Sequence, residues 1–455
     1  MKRPVFALLF VGIFYYLPAV SQSLKVSADQ RHLVHDDGTP FFWLGDTAWE
    51  LFHRLNREEA TQYLQDRANK GFTVIQAVVL AELDGLNTPN PYGNTPLTDN
   101  DPTQPNEAYF EHVDFVVNKA EELGLHVGML PTWGDKFNKK WGVGPEVFTP
   151  ANARAFGEFL GKRYRDEPII WILGGDRNPE EEDDFAIVRA MAEGLATGDE
   201  NTHLMTYHPQ GDFNSAQFFH DDDWLDFNMF QSGHGSRNKK NYRWTLANYQ
   251  RAPTKPTLDG EPSYEDHPID WKPANGWFDE YDVRKLAYWS MLSGAFGHTY
   301  GDHNIWQMWQ PGREPISSAR TPWKEALKHP GSEQMGLMRQ LFESRPFTTL
   351  VPDTTLVVSA EGSLPVRAAR GDGFLMVYLP QHASVEVDLG KLSGRRAHVW
   401  WFDPRTGDSV NLGEVKSNGS QTFNTPNAEK DWVLVVDDAA RNFASPGEAV
   451  FVQDR

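Results

Sequence analysis

Two carboxylates, Asp176 and Glu261, each follow a predicted strand that ends in glycine. Asp176 comes after the apolar run 169–173 and two glycines, and Glu261 closes a shorter strand-like segment that begins at Lys255. An unbroken apolar run is typical of a strand buried on both faces of a parallel sheet, and glycine lets the backbone turn at its end. If both strands belong to one parallel barrel, the carboxylates face each other across the same mouth. Hydrolysis of a glycosidic bond requires such a pair.

Each carboxylate also has a structural interpretation. A strand-terminal Asp often caps a helix or forms an ion pair with a neighbouring cationic side chain, and Arg177 is the cation next to Asp176. Because both carboxylates occur in the same context within one repeating pattern, the catalytic interpretation is favoured.

The pattern repeats eight times between about residue 40 and residue 345. Predicted helices at 57–70, 107–123, 150–164, 179–195, 244–250, 280–293 and 331–344 separate most of the predicted strands, and Asn56 is placed to cap the first helix. The residues taken as strand tips are Asp46, Gln76, Trp133, Asp176, His208, Gln231, Glu261 and Tyr300. A doubly wound sheet has the same helix pattern, but polar or aromatic residues at every tip favour an α/β fold of the (β/α)8 barrel type over residues 22–345.

The pattern changes from residue 346 to residue 455. Short strand-like runs are separated by turns such as 369–373 and 404–408, and no helix is evident. We therefore expect an antiparallel β-sandwich domain. Stabilising the barrel is its simplest role; carbohydrate binding is an alternative without a specific motif.

Other predicted tips and nearby residues are candidates for binding sugar hydroxyls or rings. Asp46 is a hydroxyl ligand or a helix cap, and the tryptophans are stacking platforms or core residues. His208, Tyr264 and Tyr300 are candidate donors that keep Glu261 ionised. The full set is Asp46, Trp49, Gln76, Trp133, His208, Gln231, His234, Tyr264, Tyr300 and Trp306.

The composition narrows the possible partners. The formal net charge of −20 argues against nucleic acid and anionic membrane surfaces. There is no cysteine, hence no disulfide or thiolate site. No spacing of ligand residues predicts a metal, and no cofactor is predicted. A poly- or oligosaccharide is the expected partner, and the oligomeric state stays open.

The first 21 residues have the pattern of an export signal. Lys2 and Arg3 precede an apolar stretch at 5–17, and small residues follow at 19–21. No other segment is apolar and long enough to cross a bilayer. Export without disulfides predicts a bacterial periplasmic or extracellular protein.

Three motifs are specific enough to indicate a family. The segments FWLGDTAW at 42–49, WILGGDRNP at 171–179 and DGEP at 259–262 resemble the apiosidase-like glycoside hydrolases, family 140. The resemblance covers nearly the whole mature chain, including a trailing β-sandwich of the collagen-binding type. It implies hydrolysis of D-apiose-containing side chains of the pectin rhamnogalacturonan II. It also implies that Asp176 is the general acid/base and Glu261 the nucleophile of a retaining reaction.

The resemblance extends to a wider clan of retaining glycosidases, which usually carry Glu after Asn at the fourth strand. This chain has Asp after two glycines. An acid must keep its proton near neutral pH, so we expect Arg177 to point away from Asp176. A glycosidase acting on arabinofuranosides or β-glucans is one alternative, and a non-catalytic glycan-binding protein is another.

Overall fold

The computed structural model describes residues 23–381, 383–427 and 431–448. The predicted export signal at 1–21 lies outside these residues. Three short strands, Leu24–Val26, Leu33–His35 and Pro40–Phe41, form a small antiparallel sheet that precedes the barrel.

Eight parallel strands form the first part of the chain. They are β1 Trp43–Thr47, β2 Val74–Leu80, β3 His126–Thr132, β4 Ile169–Gly174, β5 Met205–His208, β6 Asn228–Phe230, β7 Thr257–Asp259 and β8 Gly297–Tyr300. The helices are α1 Leu51–Arg54, α2 Arg57–Asn69, α3 Glu107–Glu122, α4 Pro150–Tyr164, α5 Glu182–Asp199, α6 Asn241–Tyr249, α7 Glu280–Met291, α8 His303–Trp306, α9 Trp323–Ala326 and α10 Pro330–Glu343.

The eight strands close into a barrel. Six form one sheet in the order β8-β1-β2-β3-β4-β5, and β6 pairs with β7. Backbone hydrogen bonds join the two groups: Asp226 donates to Met205 at 2.9 Å, and Phe296 donates to Thr257 at 3.2 Å. The predicted (β/α)8 barrel is thus confirmed.

The apolar run of β4 shows why this sequence takes this position. Ile170 and Ile172 point into the barrel interior, whereas Trp171 and Leu173 pack against the surrounding helices. Successive side chains of a strand point to opposite faces, so a strand covered on both faces is apolar at every position.

Local signals set several of the helix starts, but α5 and α6 depart from the prediction, and α6 begins at Asn241, three residues earlier than predicted. The Asn56 side chain accepts the N–H of Glu59 at 2.9 Å, which places the start of α2 as predicted. Helix α5 begins three residues later than predicted. The Asp184 carboxylate accepts the backbone N–H groups of Glu180 and Glu181, so it caps this end from inside the helix.

The remaining described chain folds into two antiparallel sheets. Its strands are β9 Val351–Pro352, β10 Val357–Ala360, β11 Arg367–Gly371, β12 Phe374–Leu379, β13 Ser384–Asp388, β14 Arg396–Phe402, β15 Ser409–Lys416, β16 Ser420–Asn424 and β17 Trp432–Asp438. One sheet has the order β9-β11-β12-β17-β14-β15, and the other has the order β10-β13-β16. Leu375 and Val377 of the first sheet share a core with Val385 and Val387 of the second. The predicted β-sandwich is confirmed.

The outer face of the larger sheet packs on the barrel. The rings of Tyr288 and Tyr378 stack with centroids 4.8 Å apart. Arg284 of α7 makes two hydrogen bonds to Asp431, at 2.9 and 2.7 Å, and all four of these side chains are buried. Helix α7 follows the loop that carries Glu261, so the sandwich braces the segment behind the predicted nucleophile. No helix within the described ranges is long and apolar enough to span a membrane.

Candidate active site

A cavity of about 630 Å³ opens at the carboxyl ends of the barrel strands. It brings together eight of the twelve predicted site residues, although they come from strands far apart in the sequence. These eight are Trp49, Trp133, Asp176, Gln231, His234, Glu261, Tyr264 and Trp306. Among the described residues, no three His, Asp or Glu side chains are grouped as metal ligands.

The backbone at the end of β4 delivers Asp176 to this cavity through three residues with positive φ. Gly174 and Gly175 have φ of 93° and 102°, and Asp176 itself has φ of 54°. A Cβ on Gly174 would lie 2.5 Å from the carbonyl oxygen of His208, and one on Gly175 would lie 2.8 Å from the Trp133 ring. Only glycine fits both positions, which explains the two glycines before the carboxylate.

Glu261 lies between two imidazoles. Nε2 of His234 is 3.1 Å from Oε1, and Nε2 of His208 is 3.0 Å from Oε2. Backbone N–H groups point at the other ring nitrogens: Asp176 donates to Nδ1 of His208 at 3.2 Å, and Tyr264 donates to Nδ1 of His234 at 3.3 Å. Each Nδ1 is therefore an acceptor, so each neutral ring carries its proton on Nε2, facing the carboxylate.

The two carboxylates are driven toward opposite protonation states. Burial alone would raise the pKa of Glu261, but the contacts with His208 and His234 bring it down to about 2. Burial, and then the charge of Glu261, raises the pKa of Asp176 to about 7. At neutral pH, Glu261 is ionised and Asp176 is close to half protonated, a state that suits a nucleophile beside a general acid.

Arg177 is turned mainly toward backbone carbonyls. Its guanidinium donates to the carbonyl oxygens of Asn138, Lys139 and Asp176, at 3.0, 3.2 and 2.8 Å. Its Nη1 lies 3.6 Å from Oδ2 of Asp176, longer than a direct hydrogen bond. Arg177 lowers the pKa of Asp176, but burial and Glu261 outweigh it.

The predicted tryptophans form walls of the cavity from largely buried positions. Trp49 packs against Trp133 with ring centroids 5.3 Å apart, and its Nε1 donates to the Tyr264 hydroxyl at 3.1 Å. Nε1 of Trp306 donates to Nδ1 of His303 at 3.2 Å. These residues are at once core packing and cavity lining, so the two interpretations of the tryptophans do not exclude each other.

Asp46 and Tyr300 lie away from the cavity, which corrects their assignment as sugar ligands. They are paired in register on β1 and β8, and both side chains face the helices. The Asp46 carboxylate accepts hydrogen bonds from Tyr63 and Arg67, both at 2.5 Å, while the Tyr300 hydroxyl donates to Glu265 at 2.6 Å. Asp46 does not cap a helix either: it is the fully buried partner of Arg67.

Gln76 is also misplaced by the prediction. It is the third residue of β2 and does not lie at its tip; its Nε2 donates to the carbonyl oxygen of Gly260 at 3.0 Å inside the barrel. His208 does not line the cavity. Its Nε2 lies 3.0 Å from Oε2 of Glu261, a close electrostatic contact without the alignment of a hydrogen bond.

The strand that carries Gln76 ends at Leu80, and the carboxylate that follows it is Glu82. Glu82 lines the cavity and was missed by the sequence analysis. Burial, and then the carboxylates of Glu50 and Asp176, raise its pKa well above the usual range. A carboxylate directly after an apolar strand is the same signal that identified Asp176, so the residue could have been found.

The family follows from a comparison with known proteins. A family model described as "Apiosidase-like, catalytic domain" matches residues 27–349. The chain belongs to the apiosidase-like glycoside hydrolases. A second model, described as "Putative collagen-binding domain of a collagenase", matches residues 351–437. A comparison with curated proteins found no match.

Solved structures give the same result. A protein described as a glycoside hydrolase is 35% identical, with a TM-score of 0.86 over 94% of this chain and 100% of its own. A glycoside hydrolase family 5 protein from Bacteroides vulgatus ATCC 8482 is 33% identical, with a TM-score of 0.88 over 96% of this chain and 97% of its own. This apiosidase-like chain is thus a glycoside hydrolase, and its substrate is a carbohydrate. Its assignment to the numbered family 140 stays a prediction.

Proposed function

We propose that this glycoside hydrolase cleaves apiosidic linkages in rhamnogalacturonan II side chains with retention of anomeric configuration. The observation that carries the mechanism is that the backbone of Asp176 and the carboxylate of Glu261 contact the same imidazole, so the two residues adjoin each other at the cavity. His208 accepts the backbone N–H of Asp176 on one side of its ring and faces the Glu261 carboxylate on the other. The choice of apiose as the sugar rests on the family match.

In the first step, the protonated Asp176 gives its proton to the glycosidic oxygen while Glu261 attacks the anomeric carbon. The carbon–oxygen bond breaks, the leaving group departs as an alcohol, and a glycosyl ester forms on Glu261. In the second step, Asp176, now a carboxylate, takes a proton from water as the water oxygen attacks the same carbon. Glu261 leaves as a carboxylate, and the inverted centre is inverted again.

The test is sugar release from rhamnogalacturonan II by the wild type and by Asp176→Asn and Glu261→Gln, with arabinan and β-glucan in parallel. Wild type should release apiose-terminated product from the first polysaccharide only, and each variant should lose roughly 10³-fold or more of its turnover. Glu58→Gln is the matched control, since Glu58 is exposed on α2 and should keep full activity. If the wild type hydrolyses only arabinan or only β-glucan, that polysaccharide is the substrate and the apiose proposal is wrong. Turnover by either variant near the wild-type rate would remove that residue from the mechanism.

Retention is tested separately by ¹H NMR of the first product formed. The product should have the anomeric configuration of the substrate before mutarotation sets in. In Asp176→Ala acting on a nitrophenyl glycoside, whose leaving group needs no proton, added azide should raise turnover and give a glycosyl azide of the same configuration, because a small anion needs no general base. An inverted first product would exclude the glycosyl ester on Glu261.

The proposal includes export to the periplasm or exterior of a bacterium. It is supported by the basic residues Lys2 and Arg3 and the apolar stretch at 5–17. Fractionation and N-terminal sequencing should find a mature chain starting near Gln22 outside the cytoplasm. A full-length cytoplasmic chain would contradict export and leave the chemistry untouched.

A further inference from the structure

Two tryptophans at the mouth of the cavity have side chains that are more than half exposed to solvent, although an indole is largely apolar. Trp141 is 59% exposed and Trp271 is 54% exposed, and both line the cavity. Large exposed aromatic side chains beside a concave site are typical of a surface that binds a ligand. Neither residue was singled out in the sequence.

Trp141 lies on the side of Asp176. Its ring is stacked on the Arg177 guanidinium, with Cζ 4.0 Å from the ring centroid. Arg177 holds the same loop through the carbonyl oxygens of Asn138 and Lys139. At Gly142, a Cβ would lie 2.3 Å from the Cβ of Asp135, so the loop sits directly on the barrel rim. One ring face is covered by Arg177, and the exposed remainder adjoins the cavity.

Trp271 lies on the side of Glu261. Its ring is nearly perpendicular to the imidazoles of His234 and His267, with centroids 5.8 and 5.7 Å away. Both Asp270 and Trp271 have positive φ, 55° and 57°. This backbone is rare for a bulky side chain and persists only where the surroundings fix it. The N–H of Asp270 donates to the carbonyl of His234 at 3.0 Å, which ties the strained pair to the site.

One side chain lies between each indole ring and a catalytic carboxylate. Trp141 rests on Arg177, whose Nη1 is 3.6 Å from Oδ2 of Asp176. Trp271 packs against His234, whose Nε2 is 3.1 Å from Oε1 of Glu261. A ligand that contacts Asp176 and Glu261 therefore has one exposed indole near each of the two carboxylates.

We propose that Trp141 and Trp271 are stacking platforms for sugar rings that flank the ring being cleaved. The ligand is then an oligosaccharide or polysaccharide, and a single sugar does not fill the site. An indole offers a flat apolar face to the C–H face of a pyranose or furanose ring while the hydroxyls stay in water. This inference rests on the proposed roles of Asp176 and Glu261.

The test is isothermal titration calorimetry in a Glu261→Gln background, so that turnover does not consume the ligand. The probes are rhamnogalacturonan II and the single-ring methyl β-D-apiofuranoside. Trp141→Ala and Trp271→Ala should each raise the Kd for the polysaccharide by at least about tenfold. The Kd for the single-ring probe should change less than twofold, and Trp141→Tyr and Trp271→Tyr should keep most of the polysaccharide affinity. Tyr92→Ala is the matched control, because Tyr92 is exposed but does not line the cavity.

Unchanged polysaccharide affinity in both alanine variants overturns the proposal, and so does an equal loss for both probes. If the Glu261→Gln protein does not bind rhamnogalacturonan II, the proposed substrate is wrong, and the same variants are titrated with arabinan and β-glucan. A selective loss for either polysaccharide still supports the platforms. Binding to none of the three overturns the platforms as well. Wild-type hydrolysis measured in parallel shows separately whether the proposed function holds.

Discussion

Replacing the predicted general acid by asparagine should stabilise the fold. Burial and the charge of Glu261 raise the pKa of Asp176 from 3.8 to about 7, so ionisation of this residue opposes folding. The structural interpretation, in which Asp176 is the ion-pair partner of Arg177, predicts the opposite sign. Because Asn cannot ionise, Asp176→Asn separates the two interpretations without measuring catalysis.

The size of the effect follows from linkage. Between pH 3.8 and about 7 the folded chain binds a proton at Asp176 that the unfolded chain has lost, so stability falls as the pH rises through this window. A shift of about three pKa units corresponds to about 4 kcal/mol above pH 7. The side chain is 24% exposed, which admits water and lowers the expected gain in Asp176→Asn to about 2–4 kcal/mol. At pH 5 about one third of this difference should remain.

Thermal unfolding of wild type and Asp176→Asn at pH 8.5 and pH 5 measures both the sign and the pH dependence. The variant should unfold a few degrees higher at pH 8.5, and the gap should narrow at pH 5. Glu58→Gln, which removes an exposed carboxylate from the first turn of α2, should not be more stable than wild type at either pH and should lose less than about 1 kcal/mol. A less stable Asp176→Asn at pH 8.5 would mean that the pairing with Arg177 is net favourable, and the general-acid assignment would lose its physical basis.

Three further predictions use other parts of the site. First, kcat/KM should fall about tenfold per pH unit above about pH 7, as Asp176 loses its proton, and a profile flat to pH 9 would contradict this. Second, His234→Phe should raise the pKa of Glu261, because the ionised carboxylate loses a hydrogen bond. The acidic limb of the kcat/KM profile should then move to higher pH. An acidic limb that does not move would mean that His208 alone sets the pKa of Glu261. Third, Asp46→Asn should cost about 1–3 kcal/mol in chemical unfolding, because Arg67 loses its fully buried partner, although it keeps Asp66, while KM stays unchanged; a raised KM would restore Asp46 as a substrate ligand.

The placement of Asp176 and Glu261 in one cavity could be predicted from the sequence because its signal is local. An apolar run followed by glycines and a carboxylate identifies the end of β4, and the barrel topology then brings Asp176 near Glu261. The positive φ angles of Gly174 and Gly175 agree with the expected turn. The same local logic explains why the start of α2 at Asn56 was predicted to the residue.

The errors arise where a polar residue was taken to mark the end of a strand. Gln76 was chosen as the tip of β2, but the apolar run continues to Leu80, and Glu82 holds the position at the cavity. Successive side chains of a strand point to opposite faces of the sheet, but the sequence does not say which of the two sets faces the barrel interior. Asp46 and Tyr300 fall in the outward set, and only the paired register of β1 and β8 reveals it.

Trp141 and Trp271 were missed for a different reason. They lie in loops without a regular repeat, so their position in the sequence does not predict which way their side chains point. Their orientation depends on contacts with Arg177 and with His234, which are distant in sequence and lie in the loops that follow β4 and β6. Such contacts exist only once the barrel has formed.

The division of roles between the two carboxylates depends on backbone amides as much as on side-chain charge. If Nδ1 of either imidazole carried the proton, Nε2 would turn a lone pair toward Glu261 in place of an N–H group. The N–H of Asp176 prevents this by occupying Nδ1, and the N–H of Tyr264 does the same for His234. The turn that presents Asp176 therefore also sets the tautomer of a ring that keeps Glu261 ionised, and the charge of Glu261 in turn helps to hold the proton on Asp176. A substitution that shifts this turn, such as alanine at Gly175, would disturb both carboxylates at once, even though it changes neither of them.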